Sequence, residues 1–149
     1  MNRRGEAWVV GQFLIGAAIA VAPASWPLLN APWLRALGIV LALLGLFFGA
    51  LASWQLGRNL TPFPKPKADG HLVHHGLYQF VRHPIYFSVL LLAFGWAFWR
   101  LSGWGLLLAL FLFVFFDAKA RREEAWLRTQ YPDYARYQQR VKKLLPWIY

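Results

Sequence analysis

The clearest candidates for chemistry are four residues in one short motif, Arg82-His83-Pro84-x-Tyr86. Proline favours the first turn of a helix and holds the preceding residue extended, so a helix is predicted to begin at Pro84. The free N–H groups of that helix start, together with the Arg82 guanidinium, would suit a carboxylate or a phosphate. Alternatively, Arg82 and His83 only reach towards lipid headgroups as long polar side chains at a membrane surface.

The second candidate is an acidic pair, Glu123-Glu124, which lies among several arginines. These carboxylates could form ordinary ion pairs on a helix surface, such as Glu124 with Arg128. Alternatively, one of them faces inward and binds a cation or the hydroxyl groups of a sugar. A ligand with a carboxylate, an amine, a ribose and a positively charged sulfur would need both this pair and the arginine motif.

Three histidines, His71, His74 and His75, lie close together in the sequence. The chain contains no Cys, and Asp69 is the one candidate carboxylate nearby. We therefore predict no metal site and assign these histidines to a solvated loop or to cofactor contacts. A P-loop is absent, and no Gly-x-Gly-x-x-Gly follows a strand, which excludes the usual soluble nucleotide-binding folds.

The elements that must position these residues are apolar helices. The chain has 149 residues, of which 58% are hydrophobic and 15% charged, whereas soluble domains have about 25% charged residues. Its 9 Trp, 12 Phe and 6 Tyr exclude a disordered chain. The net charge of +10 could attract nucleic acid, an anionic membrane or an acidic substrate. The apolar runs favour the membrane, and lipid headgroups explain the charge without nucleic acid.

Four apolar stretches predict an all-α, multi-pass membrane bundle with about four transmembrane helices. The first runs from Trp8 to Leu29 and is long enough to span, with Pro23 and Pro27 kinking or ending it. We expect it to be retained in the protein and not cleaved as a signal peptide. The second runs from Trp33 to Leu56. Its small residues share one helix face: Gly38, Ala42, Gly45 and Gly49. Such a face favours close packing within the chain over dimerisation.

The remaining apolar run, Ile85 to Phe116, would form one helix of about 48 Å, which exceeds a hydrocarbon core of about 30 Å. We therefore predict a break at Arg100–Gly103, giving a helical hairpin with short arms that local bilayer thinning accommodates. The fourth helix is expected to continue to Thr129. After a break at Tyr131-Pro132-Asp133, a short amphipathic helix follows, from about Tyr134 to Lys143.

The charged residues predict the orientation of this bundle. If both termini and the Gly57–His83 segment lie on one side, that side holds fourteen Lys and Arg residues, and the other side holds only Arg35 and Arg100. Both termini are then cytoplasmic. The prediction is one domain over residues 1–149, with a first hairpin (1–56), a cytoplasmic loop (57–83), a second hairpin (84–118) and a cytoplasmic tail (119–149).

Two blocks of the sequence carry a family resemblance. The segment from Leu72 to Ser88 resembles the Gly-x-Tyr-x-x-x-Arg-His-Pro-x-Tyr signature of the isoprenylcysteine carboxyl methyltransferase family. The tail is similar to the end of the same family in three pieces: Glu123-Glu124-x-x-Leu127, Tyr131-Pro132-x-Tyr134-x-x-Tyr137 and Arg140–Pro146. Phospholipid N-methyltransferases belong to the same broader group and share the paired glutamates. The two blocks follow the family's order and cover about the C-terminal half of the chain.

This resemblance implies an integral-membrane methyltransferase that uses S-adenosylmethionine and has no Rossmann domain. The cofactor would lie in a cytoplasmic pocket under the tail, with Arg82 at its methionine carboxylate and Glu123 or Glu124 at its amine or ribose. The further cofactor-binding residues that it implies are Leu72, Val73, His74, Gly76, Tyr78, His83, Pro84 and Tyr86. It implies a catalytic role for Arg82, His83 and Glu124. From the tail, Tyr137, Leu144 and Leu145 would close over the pocket.

A few positions depart from the family pattern, and none of them removes a charged ligand. Leu77 stands where relatives often have Pro, Gln79 and Phe80 replace basic or aromatic residues, and Ser88 replaces a common Gly. The implied acceptor is lipophilic: a prenyl-cysteine carboxylate, a lipid amine or a thiol. The second hypothesis is an NADPH-dependent sterol or steroid reductase, since those enzymes carry a similar Arg-His-Pro-x-Tyr element. The third is a non-enzymatic membrane scaffold. No pattern predicts the oligomeric state.

Overall fold

The computed structural model describes residues 5–25 and 31–149. Within these ranges the chain is helical and forms no β-strand beyond one isolated bridge. The helices are α1 (Glu6–Val21), α2 (Pro32–Leu56), α3 (Pro84–Trp99), α4 (Gly103–Gln130) and α5 (Tyr134–Arg140). Short 3₁₀ turns lie at Gly57–Asn59 and Gly76–Gln79. The all-α prediction is confirmed.

The first helix ends just before its first proline. We expected Pro23 and Pro27 to kink or end the apolar stretch from Trp8 to Leu29, and α1 ends at Val21. Proline disfavours the helical conformation in the residue before it, and the chain leaves the helix at Ala22, just before Pro23. The end of the predicted stretch, with Pro27 and Leu29, lies outside the described residues.

Helices α2 and α3 form the closest pair in the bundle. A Cβ atom added at Gly38 would lie 2.5 Å from the backbone nitrogen of Trp99, and one at Gly45 would lie 2.8 Å from the carbonyl oxygen of Ser88. Such approaches leave no room for a side chain. The small-residue face therefore packs within the chain, as predicted.

Helix α1 packs against α4 and α3, so the two N-terminal helices lie on either side of the second hairpin. The core between α1, α3 and α4 is apolar, and the tail contributes one residue to it. Its buried members are Ile19, Leu90, Ala93, Ala109, Leu112, Phe116 and Leu144. This arrangement brings α1 alongside the site described below, where it forms one wall.

The break between α3 and α4 is where we predicted it. The segment between α1 and α2 contacts this turn. The Ser102 hydroxyl donates to the carbonyl of Pro23 at 2.6 Å, and the Gly103 N–H donates to the Ser25 hydroxyl at 2.6 Å. At the opposite end of the bundle, the start of α1 meets the proline-rich loop, where Gly5 lies against Pro64. The loop and the tail therefore gather at one end, away from these turns.

Two helical segments in the described ranges are long and apolar enough to cross a membrane, Pro32–Asn59 and Gly103–Gln130. The other two apolar helices, α1 and α3, have 16 residues each and measure about 24 Å. They are shorter than a hydrocarbon core of about 30 Å. Bulky apolar side chains such as Trp33, Phe47 and Trp54 project outward from α2. An apolar surface of this kind matches a bilayer better than water.

Candidate active site

The segment before α3 is held in place by the C-terminal tail. The backbone N–H of Arg82 donates to the carbonyl of Lys142 at 2.8 Å, and that of His83 donates to the carbonyl of Lys143 at 3.1 Å. Both N–H groups are free to bond the tail because α3 begins only at Pro84, and the proline disfavours a helical conformation at His83. Backbone hydrogen bonds alone therefore fix the arginine motif to the tail.

The Arg82 side chain reaches the acidic pair. Its Nε donates to Glu124 Oε1 at 2.8 Å, and its Nη1 donates to the backbone carbonyls of Gln138, at 2.9 Å, and Val141. Only 8% of the Arg82 side chain and 4% of the Glu124 side chain are exposed. Removing one partner of such a buried ion pair strongly destabilises the folded protein, because the other charge stays uncompensated.

Two more groups occupy the Glu124 carboxylate. His83 Nε2 lies 3.1 Å from Oε1, and the Gln138 amide donates to Oε2 at 2.7 Å. Glu124 does not line the cavity described below. Its geometry is that of a residue that positions Arg82 and His83, although the resemblance implied a catalytic role for it.

Glu123 faces the opposite way. Its carboxylate accepts a hydrogen bond of 2.5 Å from the Tyr86 hydroxyl, lies 3.8 Å from His83 Nδ1 and is 25% exposed. The Tyr86 ring is stacked between the rings of His83 and Phe116, at centroid distances of 5.2 and 4.7 Å. This stack fixes the hydroxyl that orients Glu123.

Glu123 opens onto a cavity of about 870 Å³ among α1, α3, α4, the loop and the tail. One wall is apolar and comes from α1, through Phe13, Gly16, Ala17 and Ala20. The predicted site residues that line it are Leu72, Val73, Tyr78, Arg82, His83, Pro84, Tyr86 and Glu123, with Tyr137 from the tail. The residues that do not line it are His74, Gly76, Glu124, Leu144 and Leu145. Both groups of predicted residues lie at the same end of the bundle.

Gly76 has a structural task. Its φ is +61°, and an added Cβ would lie 2.3 Å from Gln55 Nε2. The next N–H, from Leu77, donates to Gln55 Oε1 at 2.9 Å. We expected Leu77 to loosen this turn, since relatives often have Pro there. The bond to Gln55 instead holds the turn, and Pro could not donate it.

The loop histidines are held by the loop itself. Asn59 and His71 exchange two hydrogen bonds of 3.1 Å through the Asn59 amide and the His71 backbone. His74 Nδ1 lies 3.4 Å from the carbonyl of Leu72. In the described part of the chain, no three His, Asp or Glu side chains come close enough to hold a metal ion.

Two tyrosines from α5 extend the site beyond the residues that we predicted to bind cofactor. The Tyr137 hydroxyl donates to the carbonyl of Tyr78 at 2.5 Å. Tyr134 lines the cavity and is only 1% exposed, and its buried hydroxyl has no hydrogen-bond partner among the described residues. Burial raises the pKa of Tyr134, Tyr137 and Tyr78 above that of free tyrosine, so all three stay protonated near pH 7. The spacing of these tyrosines in the tail motif was the sequence feature from which their place in the site could have been predicted.

The comparisons with known proteins agree with this architecture. Residues 33–134, about two thirds of the chain, match the profile of the phospholipid methyltransferase family. A solved structure of the eukaryotic intramembrane Ras methyltransferase ICMT (isoprenylcysteine carboxyl methyltransferase) superposes with a TM-score of 0.74 at 23% identity. The match covers 96% of this chain and 52% of the ICMT chain, so this chain spans about half the length of that relative. No curated protein gives a significant match. On the extent of the profile match, the chain belongs to the phospholipid methyltransferase family.

Proposed function

We propose that the chain transfers a methyl group from S-adenosylmethionine to a lipophilic acceptor at the cytoplasmic face of a membrane. The family assignment supports methyl transfer. The observation that carries the rest is the convergence of Arg82 with Glu123 and Glu124, from segments about forty residues apart, at the polar end of a cavity with an apolar wall. The excess of basic residues at that end supports a cytoplasmic orientation.

The cavity fits a ligand of this kind. Its volume of about 870 Å³ lies within the range of about 300–1,000 Å³ that is usual for sites of small molecules and cofactors. The Nη2 group of Arg82 makes no hydrogen bond with any described residue. Arg82 lines the cavity, so its free donor favours a polar ligand there. The Tyr134 hydroxyl is a second group near the cavity that lacks, among the described residues, the partner that buried polar groups normally have.

The assignment of residues follows from their charges. The free face of Arg82, with the start of α3, would hold the methionine carboxylate, and Glu123 would hold the amine or the ribose hydroxyls. Leu72 and Val73, which line the cavity, would contact the adenine. Glu124 acts through Arg82 and His83 and is a positioning residue.

The chemistry asks little of the protein beyond placement. When bound, S-adenosylmethionine supplies an electrophilic methyl group on a sulfonium. The cavity walls hold the acceptor in line with that group and exclude water. A carboxylate acceptor is ionised near pH 7 and needs no base. An amine acceptor must lose a proton, and Glu123 or His83 is then the nearest group to receive it.

Binding of S-adenosylhomocysteine to purified protein in lipid nanodiscs tests the proposal. We expect saturable heat in calorimetry and at least a tenfold weaker affinity for Glu123→Gln. The matched control is Asp133→Asn, because that carboxylate is 80% exposed and pairs only with Arg136 on the surface. Protection against thermal unfolding by NADPH and not by S-adenosylhomocysteine would favour the reductase hypothesis. If neither nucleotide binds, the hypothesis of a non-enzymatic membrane scaffold remains.

The acceptor is found by a second experiment. Membranes that contain the protein are incubated with S-adenosylmethionine carrying a labelled methyl group and are then extracted. We expect the label in a lipid-soluble fraction, and we expect base-labile ester or base-stable amine products to distinguish a carboxylate from an amine. Label that stays in the aqueous phase would exclude a lipophilic acceptor.

A further inference from the structure

Lys119 is a buried cation that the assignments above do not use. It lies one helical turn before Glu123 on α4, lines the same cavity and is only 1% exposed. No carboxylate in the described ranges forms an ion pair with its ammonium. Its other neighbours decide whether the charge is compensated.

The groups that contact the Lys119 ammonium are neutral, and the Glu123 carboxylate, one turn further along α4, attracts it only from beyond ion-pair distance. The Lys119 ammonium donates to the side-chain oxygen of Gln12 and lies 3.5 Å from the carbonyl of Pro62. It also lies 5.0 Å from the centre of the Tyr86 ring and 6.0 Å from that of Phe116. Dipoles and ring faces stabilise a cation only in part, and a buried charge without a counter-ion is unfavourable. Lys119 therefore has no counter-ion in contact with it among the described residues.

Two partly buried cations in the chain, Lys143 and Arg82, each have a carboxylate as partner. The Lys143 ammonium lies 2.7 Å from Asp117, and the Arg82 guanidinium lies 2.8 Å from Glu124. Each has a carboxylate from another part of the fold. Lys119 is more deeply buried than either and faces open space instead.

Lys119 lies at one end of the apolar wall that α1 forms. Gln12, which holds the ammonium, lies on the same face of α1 as Gly16 and Ala20, one and two turns further along the helix. An added Cβ at Gly16 would meet no atom within 4 Å. The cavity thus continues from the cation into an apolar space along α1, which is the shape that an amphiphile with a charged head needs.

We propose that Lys119, oriented by Gln12, binds the anionic headgroup of the acceptor, a carboxylate or a phosphate. This rests on the proposed function and narrows its acceptor to an anionic amphiphile. With a carboxylate acceptor, one of its oxygens forms the new O–CH₃ bond while the S–CH₃ bond breaks and its electron pair stays on sulfur. The ester and the thioether are both neutral, so no proton has to move. With a phospholipid, the phosphate would be the anchor and a different atom would take the methyl group.

Binding of matched twelve-carbon amphiphiles tests the inference. The probes are dodecanoate, dodecyl phosphate and neutral dodecanol, titrated into protein in nanodiscs. We expect Lys119→Gln to weaken binding of at least one anion tenfold or more, to leave dodecanol unchanged, and Lys119→Arg to retain the anion. Lys65→Gln is the matched control, because Lys65 is an exposed loop lysine that does not line the cavity. The anion that depends on Lys119 identifies the headgroup.

Equal anion binding by wild type and Lys119→Gln would overturn the inference, as would an equal loss for dodecanol. If Lys119→Gln does not fold, Gln12→Met leaves Lys119 in place and removes the amide whose oxygen orients the ammonium. We expect this variant to weaken anion binding severalfold, and unchanged binding would again count against the inference. S-adenosylhomocysteine is titrated into the same samples. Anion binding that depends on Lys119 in a protein that does not bind this nucleotide would refute the proposed function and leave the anion site standing.

Discussion

Glu123 and Glu124 are adjacent in sequence, and the structure predicts opposite consequences of neutralising them. Glu124→Gln keeps the shape of the side chain but removes the charge that faces Arg82 and His83. Removing one partner of a buried ion pair costs about 3–5 kcal/mol. The amide can still accept a hydrogen bond, so the lower end of that range, about 3 kcal/mol, is expected. Glu123→Gln affects a partly exposed carboxylate on the cavity, and about 1 kcal/mol or less is expected.

Hydrogen exchange measures this difference where it arises. The amides of Arg82 and His83 are bonded to the tail carbonyls, so they exchange when the tail undocks. A loss of about 3 kcal/mol corresponds to roughly a hundredfold faster exchange, since 1.4 kcal/mol is a factor of ten. We expect this acceleration in Glu124→Gln, whereas Glu123→Gln should exchange within a few-fold of wild type and lose nucleotide binding instead.

Two results would refute this reasoning. Equal acceleration in both variants would mean that the two carboxylates share the task of docking the tail. Loss of nucleotide binding in Glu124→Gln without faster exchange would mean that Glu124 contacts the ligand directly, as the family resemblance implied. A double variant with Arg82→Gln separates the pair itself from its surroundings, because removing both charges should restore part of the lost stability.

Three further predictions concern the scaffold. Gly76→Ala should destabilise the loop by about 1–3 kcal/mol in urea titrations, and more than Gly57→Ala, where φ is also positive but no atom lies within 4 Å of the added Cβ. Gly38→Val should separate α2 from α3 and lower the melting temperature of the protein in nanodiscs, whereas Gly16→Val should not, because space is open there; similar melting temperatures would contradict the packing. Asp117→Asn should speed proteolysis of the last residues, since Asp117 binds both Lys143 and Tyr149, and unchanged cleavage would show that other contacts hold the tail.

The features that the sequence predicted well depend on local rules. Pro84 begins α3, because proline favours the first turn of a helix. The chain turns at Arg100–Ser102, because the apolar run is too long for one membrane span. The small face of α2 also packs as expected. Pro23, which was expected to kink or end the first apolar stretch, ends α1.

The features that it missed depend on contacts between distant segments. The tail pairs with the residues before α3, and no local pattern encodes that register. This pairing buries Glu124 under Gln138 and brings Tyr134 to the cavity. Lys119 looked like one more cytoplasmic lysine, because its burial requires α1 to lie against α4.

Helix geometry explains why the acidic pair divides its tasks. Successive residues on an α-helix are rotated by about 100°, so two adjacent carboxylates point in different directions. Residues four apart share a face, which places Lys119 and Glu123 together on the cavity and turns Glu124 towards Arg82 and α5. The cavity therefore meets one cation and one anion on consecutive turns of α4, while the Arg82–Glu124 pair is internally neutral. S-adenosylmethionine has an ammonium, a carboxylate and a sulfonium and therefore one net positive charge. Bound on the Glu123 side, as proposed, it would offset Glu123 and leave the charge at Lys119 to be compensated by the anion of the acceptor.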